Sequence, residues 1–354
     1  MGNQVIVDGI IFLVLFIVSV AMRQRFTTRG YSATAAGGIV MSTGIFSAFA
    51  LRALPFYNDT LGRIATLEVV VLWLLITWSI VCSIRAKGFH IHLEPLLQRF
   101  AIGTWVAGTA VLAVLSARSL PEVWWLSDVL AAISVVLYIP YVVLFVGGYI
   151  SLWARVNTQR STGVILLATV STQSVIIALY TVLGAELPHR IIEGMVALDI
   201  LFLGGGILLI WLHYLRVKFY DLADRWHNTN CIIHGAVSIT GLALTITSAV
   251  DTEALLTVWY TAAGLFALVE CIELIRLAQR VGRYGWGKGA FSYDVSQWSR
   301  NFTFGMLLAF SMVLAQRMGT PLLQTVVHNG VYVVATLLVV EVVIFARSRF
   351  SSQG

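Results

Sequence analysis

The chain has 354 residues, of which 58% are hydrophobic and only 11% charged, with a mean hydropathy of +0.87. Soluble domains carry roughly 25% charged residues, so this composition excludes a water-soluble enzyme, a nucleic-acid-binding domain and a disordered chain. A membrane helix needs about 20 apolar residues and each span with its connection roughly 30, so about eleven spans fill the length and leave no soluble domain.

Met1 to Asp8 contain no Lys or Arg. A cleaved signal peptide begins with a positive region, so residues 5–22 read as a retained span, here called the extra helix. Ten further apolar runs, numbered one to ten, follow at 35–54, 62–84, 100–117, 124–153, 161–184, 190–215, 229–250, 254–277, 292–316 and 322–346. The domain reading is the extra helix and its loop at 1–34, a ten-helix body at 35–347, and a short tail at 348–354. The cysteines Cys82, Cys231 and Cys271 all lie in apolar runs, where a thiol acts as a small hydrophobe.

The net charge of +6 comes from short loops. On one side of the segmentation stand 17 Lys and Arg, from Arg23, Arg25 and Arg29 to Arg347 and Arg349. The other side has five, Arg52, Arg63, Arg118, Arg190 and Arg317, and Arg300 falls inside span nine. A missed helix would scramble this bias, which puts the N-terminus outside and the C-terminus in the cytoplasm of a multi-pass cell-membrane protein. Ser, Thr and Gly number nine in span five and eight in span seven, against three each in spans eight and ten. Small and hydroxyl residues permit close helix approach or face a polar path. The alternation suggests odd helices inside and even helices outside.

Few residues stand out chemically. Arg300 within a span either attracts an anion in a pore or pairs with an acid on a neighbouring helix. Glu68, Asp128, Asp199, Glu270, Glu273 and Glu341 all lie on even helices, which favours structural pairing over a proton relay. His234 is the only good titratable candidate on an odd helix. His90 and His92, without Cys or further His nearby, are weak evidence for zinc. The glycine-rich basic loop Arg280–Gly289 lacks the flanking strand of a phosphate loop and suits an interfacial position. No catalytic constellation emerges, so the expectation is a protein that is not an enzyme and uses no metal or cofactor.

The run Trp298-Ser299-Arg300-Asn301-Phe302-Thr303-Phe304-Gly305-Met306 resembles the Trp-x-x-x-Phe-Pro-x-Gly-Met signature of the tellurite-resistance/dicarboxylate transporter family, which includes the plant slow-type anion channels. Met41-Ser42-Thr43-Gly44-Ile45, Thr172-Gln173-Ser174 and the segment His234–Thr240 are similar to its signatures in helices one, five and seven. The resemblance covers about 35–346. It implies an all-α polytopic fold of five helical hairpins with odd helices lining a central pore, and a homotrimer in which each subunit has its own pore. It also implies a pore gate at Phe302. The anion pathway is expected to run past Arg300, Asn301, Thr303, Thr43, Gly44, Thr104, Thr172, Gln173, His234 and Ser238. Thr303 stands where the family has proline, Arg300 and Asn301 stand at positions usually apolar, and the extra helix is outside the family core. The function expected is a channel for small inorganic or organic anions in the lipid bilayer. The alternative is a proton-coupled exporter of a dicarboxylate, sulfite or tellurite-type oxyanion. No nucleic-acid partner is expected.

Overall fold

The computed structural model describes residues 2–26, 31–156 and 160–351. Among these residues every regular element is helical and no strand occurs. Met1, the loop residues 27–30 with Arg29, residues 157–159, and residues 352–354 of the tail lie outside the described residues.

Among the described residues ten helices are long and apolar enough to cross a membrane. They are the extra helix (Gly2–Phe26), helix one (Thr34–Ala53), two (Asp59–Lys87), three (Leu96–Ser119), four (Trp124–Ala154), five (Gly163–Glu186), six (His189–Tyr214), seven (Asn228–Thr247), eight (Thr252–Ala290) and ten (Pro321–Ser351). Helix nine, Trp298–Met318, has 21 residues. At about 1.5 Å per residue that length matches a bilayer core, but Arg300, Asn301, Gln316 and Arg317 lower its apolarity. It is surrounded by protein, packing on helices one, seven and ten.

Local chemistry sets several boundaries. Asn58 Oδ1 accepts from the backbone N–H of Leu61 at 2.9 Å to start helix two. Asp251 does the same for Ala254 at 2.8 Å to start helix eight. A reciprocal capping box between Asp294 and Gln297 opens the turn that leads into helix nine; such side chains satisfy N–H groups that the first turn leaves free. The basic loop expected at Arg280–Gly289 is instead mostly helical, continuing helix eight across a break at Gly285, whose φ is 72°.

The helices form an inner ring and an outer shell. Of the spanning segments, helices one, three, five and seven are 78, 89, 89 and 94% buried, whereas two, four, six, eight and ten are 33, 33, 22, 22 and 22% buried. The extra helix, at 6%, lies outside everything, packed on helix two.

Glycines close the seams of the ring. A methyl on Gly44 of helix one would stand 2.7 Å from Val111 Cγ1 of helix three, and one on Gly103 would stand 2.7 Å from Ser171 Oγ of helix five. Likewise a methyl on Gly163 of helix five would stand 1.9 Å from the Thr229 carbonyl, one on Gly235 of helix seven 2.2 Å from Thr303 Cγ2, and one on Gly305 of helix nine 2.7 Å from Ile45 Cγ2. The circuit one–three–five–seven–nine–one is thereby complete. Along the seven–nine seam Gly235 meets Thr303 and Gly241 meets Phe310, so residue numbers rise together. The inner helices are parallel, with their N-termini at the basic end of the molecule and their C-termini at the far end.

Candidate functional site at the centre of the helical ring

A cavity of about 120 Å³ opens on the ring axis toward the far end, and all five inner helices line it. Its walls are almost wholly apolar: Ile45 and Phe49, Val111 and Val114, Ile177, Ile239 and Leu242, and Met306. Ser174 and Thr181 are its hydroxyl residues, and Arg118 is its charged one.

Helix nine shows what lies beneath. At about 100° per residue, Thr303 points to helix seven and Gly305 to helix one, as their contacts require. Met306 and Phe302 fall between these directions, facing the axis, with Phe302 one turn nearer the basic end. One turn below the cavity on the other inner helices stand Met41, Ala107, Val170 and Gly235. Phe302 is 1% exposed and these neighbours are buried as well. Phe302 thus lies at the level below the cavity, among buried small and apolar residues.

The same rotation carries Arg300 to the opposite side of helix nine. Its Nη2 lies 3.0 Å from Glu273 Oε1 and its Nε 3.7 Å from Glu270 Oε2, both on helix eight. Arg276 shares Glu273 at 2.6 Å and donates to Asn228 Oδ1 at 2.7 Å. Arg300 is therefore held in an ion-pair cluster outside the ring, which removes it from the expected anion pathway. Its charge is met by two carboxylates.

The other expected pathway residues also turn off the axis. His234 is buried, its ring edge-on to Phe266 and Phe304 and its Nε2 3.9 Å from Glu270 Oε1, on the side of helix eight. Thr172 meets the Tyr138 hydroxyl of helix four at 2.8 Å, and Gln173 lies beside Asp199 of helix six. Thr104 bridges to the Thr34 carbonyl at 3.3 Å, and Gly44 and Thr303 occupy seams. Thr43, more than a third of a turn from Ile45, faces away from the cavity. Asn301 is buried, with its Oδ1 unpartnered.

Hydroxyl chemistry explains why these residues do not form a polar pathway. Thr43 donates to the Ile39 carbonyl at 2.7 Å, Thr172 to Ala168 at 2.8 Å and Ser238 to His234 at 2.7 Å, each four residues back on its own helix. A hydroxyl has one hydrogen, and once the backbone takes it none remains for an anion. Ser174 Oγ is the exception on the cavity wall, buried and without a partner.

Three features have roles that the sequence does not assign to them individually. Ser174 and Met306 sit inside quoted motifs, but their orientation needs the assembled ring. Arg118 entered only as one of the five far-side charges. Asp199 is buried on helix six, where its Oδ2 and Thr240 Oγ1 are 2.9 Å apart, and Thr240 Oγ1 is also 2.9 Å from the Ala236 carbonyl.

Outside the spans, His92 joins two elements at the basic end. Its Nδ1 is 2.9 Å from Thr34 Oγ1 and its Nε2 2.8 Å from Ser83 Oγ. Burial holds its pKa below the usual imidazole value of 6.5. Among the described residues no group of three or more His, Cys, Asp or Glu is arranged to hold a metal ion. The chain matches none of the models of known protein families and none of the curated proteins with which it was compared.

Proposed function

We propose that this membrane protein is an anion channel whose path is the axis of the inner ring and whose gate is Phe302. The carrying observation is the five-helix ring, closed at every seam, with a cavity lined by all five helices and the buried Phe302 one turn below Met306 of its wall. An apolar constriction of this kind blocks hydrated ions by size and by dewetting. The parallel inner helices direct their N-termini, each with a partial positive charge, toward the basic end. Both features favour anions at that mouth. The resemblance to the tellurite-resistance/dicarboxylate transporter family supports the same reading and brings with it a homotrimer with one pore per subunit. The charge bias supports a cell-membrane location with the C-terminus in the cytoplasm.

Anion flux from liposomes containing purified wild-type protein and Phe302→Ala tests the proposal. The variant should pass chloride or nitrate faster than the wild type. A destabilised variant with no added flux would make Phe302 core packing, a role in which truncation costs about 3–5 kcal/mol.

One observation favours a second reading, proton-coupled export. The Thr240 hydroxyl has one hydrogen and two acceptors within 2.9 Å. If that hydrogen goes to the Ala236 carbonyl, as helix neighbours do, Asp199 is protonated and donates to Thr240. A reversal potential that moves with the proton gradient in wild type, and stops moving in Asp199→Asn, would select the transporter.

A further inference from the structure

Five parallel helices create a problem at their far end. Their C-termini converge there, each with a partial negative charge of about half an electron, and an anion approaching the cavity meets all five. Three arginines stand at this rim, at the ends of helices one, three and nine. Arg52 Nη2 donates to the Arg118 carbonyl at 3.1 Å and to Ser119 Oγ at 2.9 Å. Arg317 donates to the Thr245 carbonyl and to Ser248 Oγ. Both guanidinium groups are engaged in capping helix ends. Among the described residues none of the three has a carboxylate within 4 Å of its side-chain nitrogens, unlike Arg63 and Arg300.

Arg118 differs from the other two. Its Nη1 donates to the Ala48 carbonyl at 3.1 Å, and its guanidinium carbon lies 4.5 Å from the centre of the Phe49 ring. Helix one adopts a π-helical turn over Phe46–Ala50, and the arginine meets a carbonyl of that turn. A guanidinium has five N–H donors, so this anchoring leaves most of them free. Arg118 is exposed and is the charged residue of the cavity wall. Deeper on the same wall, the unpartnered Ser174 hydroxyl supplies a second donor.

We infer that the far-end cavity binds a small singly charged anion of halide or nitrate size before it reaches the gate, with Arg118 at its mouth and the Ser174 hydroxyl at its deeper end. This rests on the channel reading for its role in transport, though the binding itself does not depend on conduction. The cavity volume of about 120 Å³ holds only a few waters at roughly 30 Å³ each. A dicarboxylate would put its second charge deeper in the cavity, against a wall that carries no other cation. Selection by charge number therefore belongs to this site.

Chloride binding to the full-length protein in detergent, read as broadening of its ³⁵Cl NMR line at constant ionic strength, tests the site directly. Wild type and Arg118→Lys should broaden the line, and nitrate should compete. Arg118→Gln should weaken binding roughly three- to ten-fold, the scale of one nearby charge in a partly wet site. Equal broadening by the Gln variant, or none by wild type, overturns the inference. Thermal unfolding of each variant shows whether the Ala48 and Phe49 contacts have been lost to misfolding; a Gln variant that unfolds early is replaced by Ser174→Ala, which should weaken binding without touching them. Liposome flux separates the two readings. Chloride binding without flux leaves the site standing and removes the channel, whereas unaltered binding and flux in Arg118→Gln remove the site and leave the channel.

Discussion

The inner ring and the outer shell are both built from apolar helices, yet they are stabilised in different ways. In the ring, glycines bring backbones to contact and hydroxyls spend their hydrogens on their own helices. In the shell, large aliphatic side chains such as Ile139, Val143, Leu201 and Val339 point outward, where lipid or a neighbouring subunit can cover them. Lipid tails are as apolar as leucine, so exposing such residues costs nothing in a bilayer. Close fit is demanded of one layer only.

Glycine substitution should break this comparison most sharply. Gly235→Val forces a branched side chain into a seam where even a methyl would stand 2.2 Å from Thr303 Cγ2, whereas Gly147 and Gly264 of the shell have nothing within 4 Å. The ring variant should lose about 3 kcal/mol, the upper range for overpacking, or fail to assemble. Gly147→Ala and Gly264→Ala should be neutral or gain about 0.5–1 kcal/mol of helix propensity. Thermal unfolding in detergent reads all three. Equal losses in the two layers would mean that the ring is looser than its seams indicate.

The extra helix sharpens the comparison from outside. Its Asp8 meets Arg63 of helix two at 2.6 Å, and Arg63 meets Glu122, just before helix four, at 2.7 Å. Asp8 is buried although its helix is not. Asp8→Ala leaves Arg63 with one acid and should cost about 2 kcal/mol, less than the 3–5 of a fully buried pair. Flux per correctly oriented molecule should not change. A loss of flux at full folding would place this helix in the pathway.

Much of this two-layer plan was legible in composition. Ser, Thr and Gly counts separate helices five and seven from eight and ten, and the buried fractions divide the same way. Side-chain chemistry was less legible, because it depends on facing. Thr172 reads as a pore hydroxyl until the rotation of helix five sets it against Tyr138. Arg300 pairs with Glu270 and Glu273 only through the register of helices eight and nine, which no local pattern encodes. Arg118 gains a distinct role only when five helix ends enclose the cavity. Helix nine carries several polar groups, and it tolerates them because protein surrounds it.

At the basic end, His92 links the start of helix one to helix two, and its pKa lies below 6.5 because burial disfavours the charged ring. The unfolded chain then takes up a proton more readily than the folded one. Its contribution is complete above pH 6.5 and is lost as pH falls through and below that value. A urea midpoint measured from pH 8 to pH 5 should fall in wild type. The fall should be shallower in His92→Gln, which cannot titrate, and parallel curves would assign the acid sensitivity elsewhere.

The smallest effect expected comes from a hydroxyl that the ring uses only internally. Ser238 is buried on helix seven, and its hydrogen goes to the His234 carbonyl at 2.7 Å. That carbonyl keeps a second lone pair and its place in the helix ladder, so Ser238→Ala leaves no donor or acceptor stranded. The change should shift stability by about 0.5 kcal/mol or less. Thr172→Val removes a similar intrahelical bond, but it also leaves the buried Tyr138 hydroxyl without its partner at 2.8 Å. An unsatisfied buried group costs about 1–3 kcal/mol, so this variant should fall at least at the low end of that range. Neither substitution should alter anion selectivity, because neither hydroxyl has a hydrogen to offer an ion. A change of selectivity in Ser238→Ala with unchanged stability would return the hydroxyl to the pathway and reopen the assignment of the axis to apolar residues.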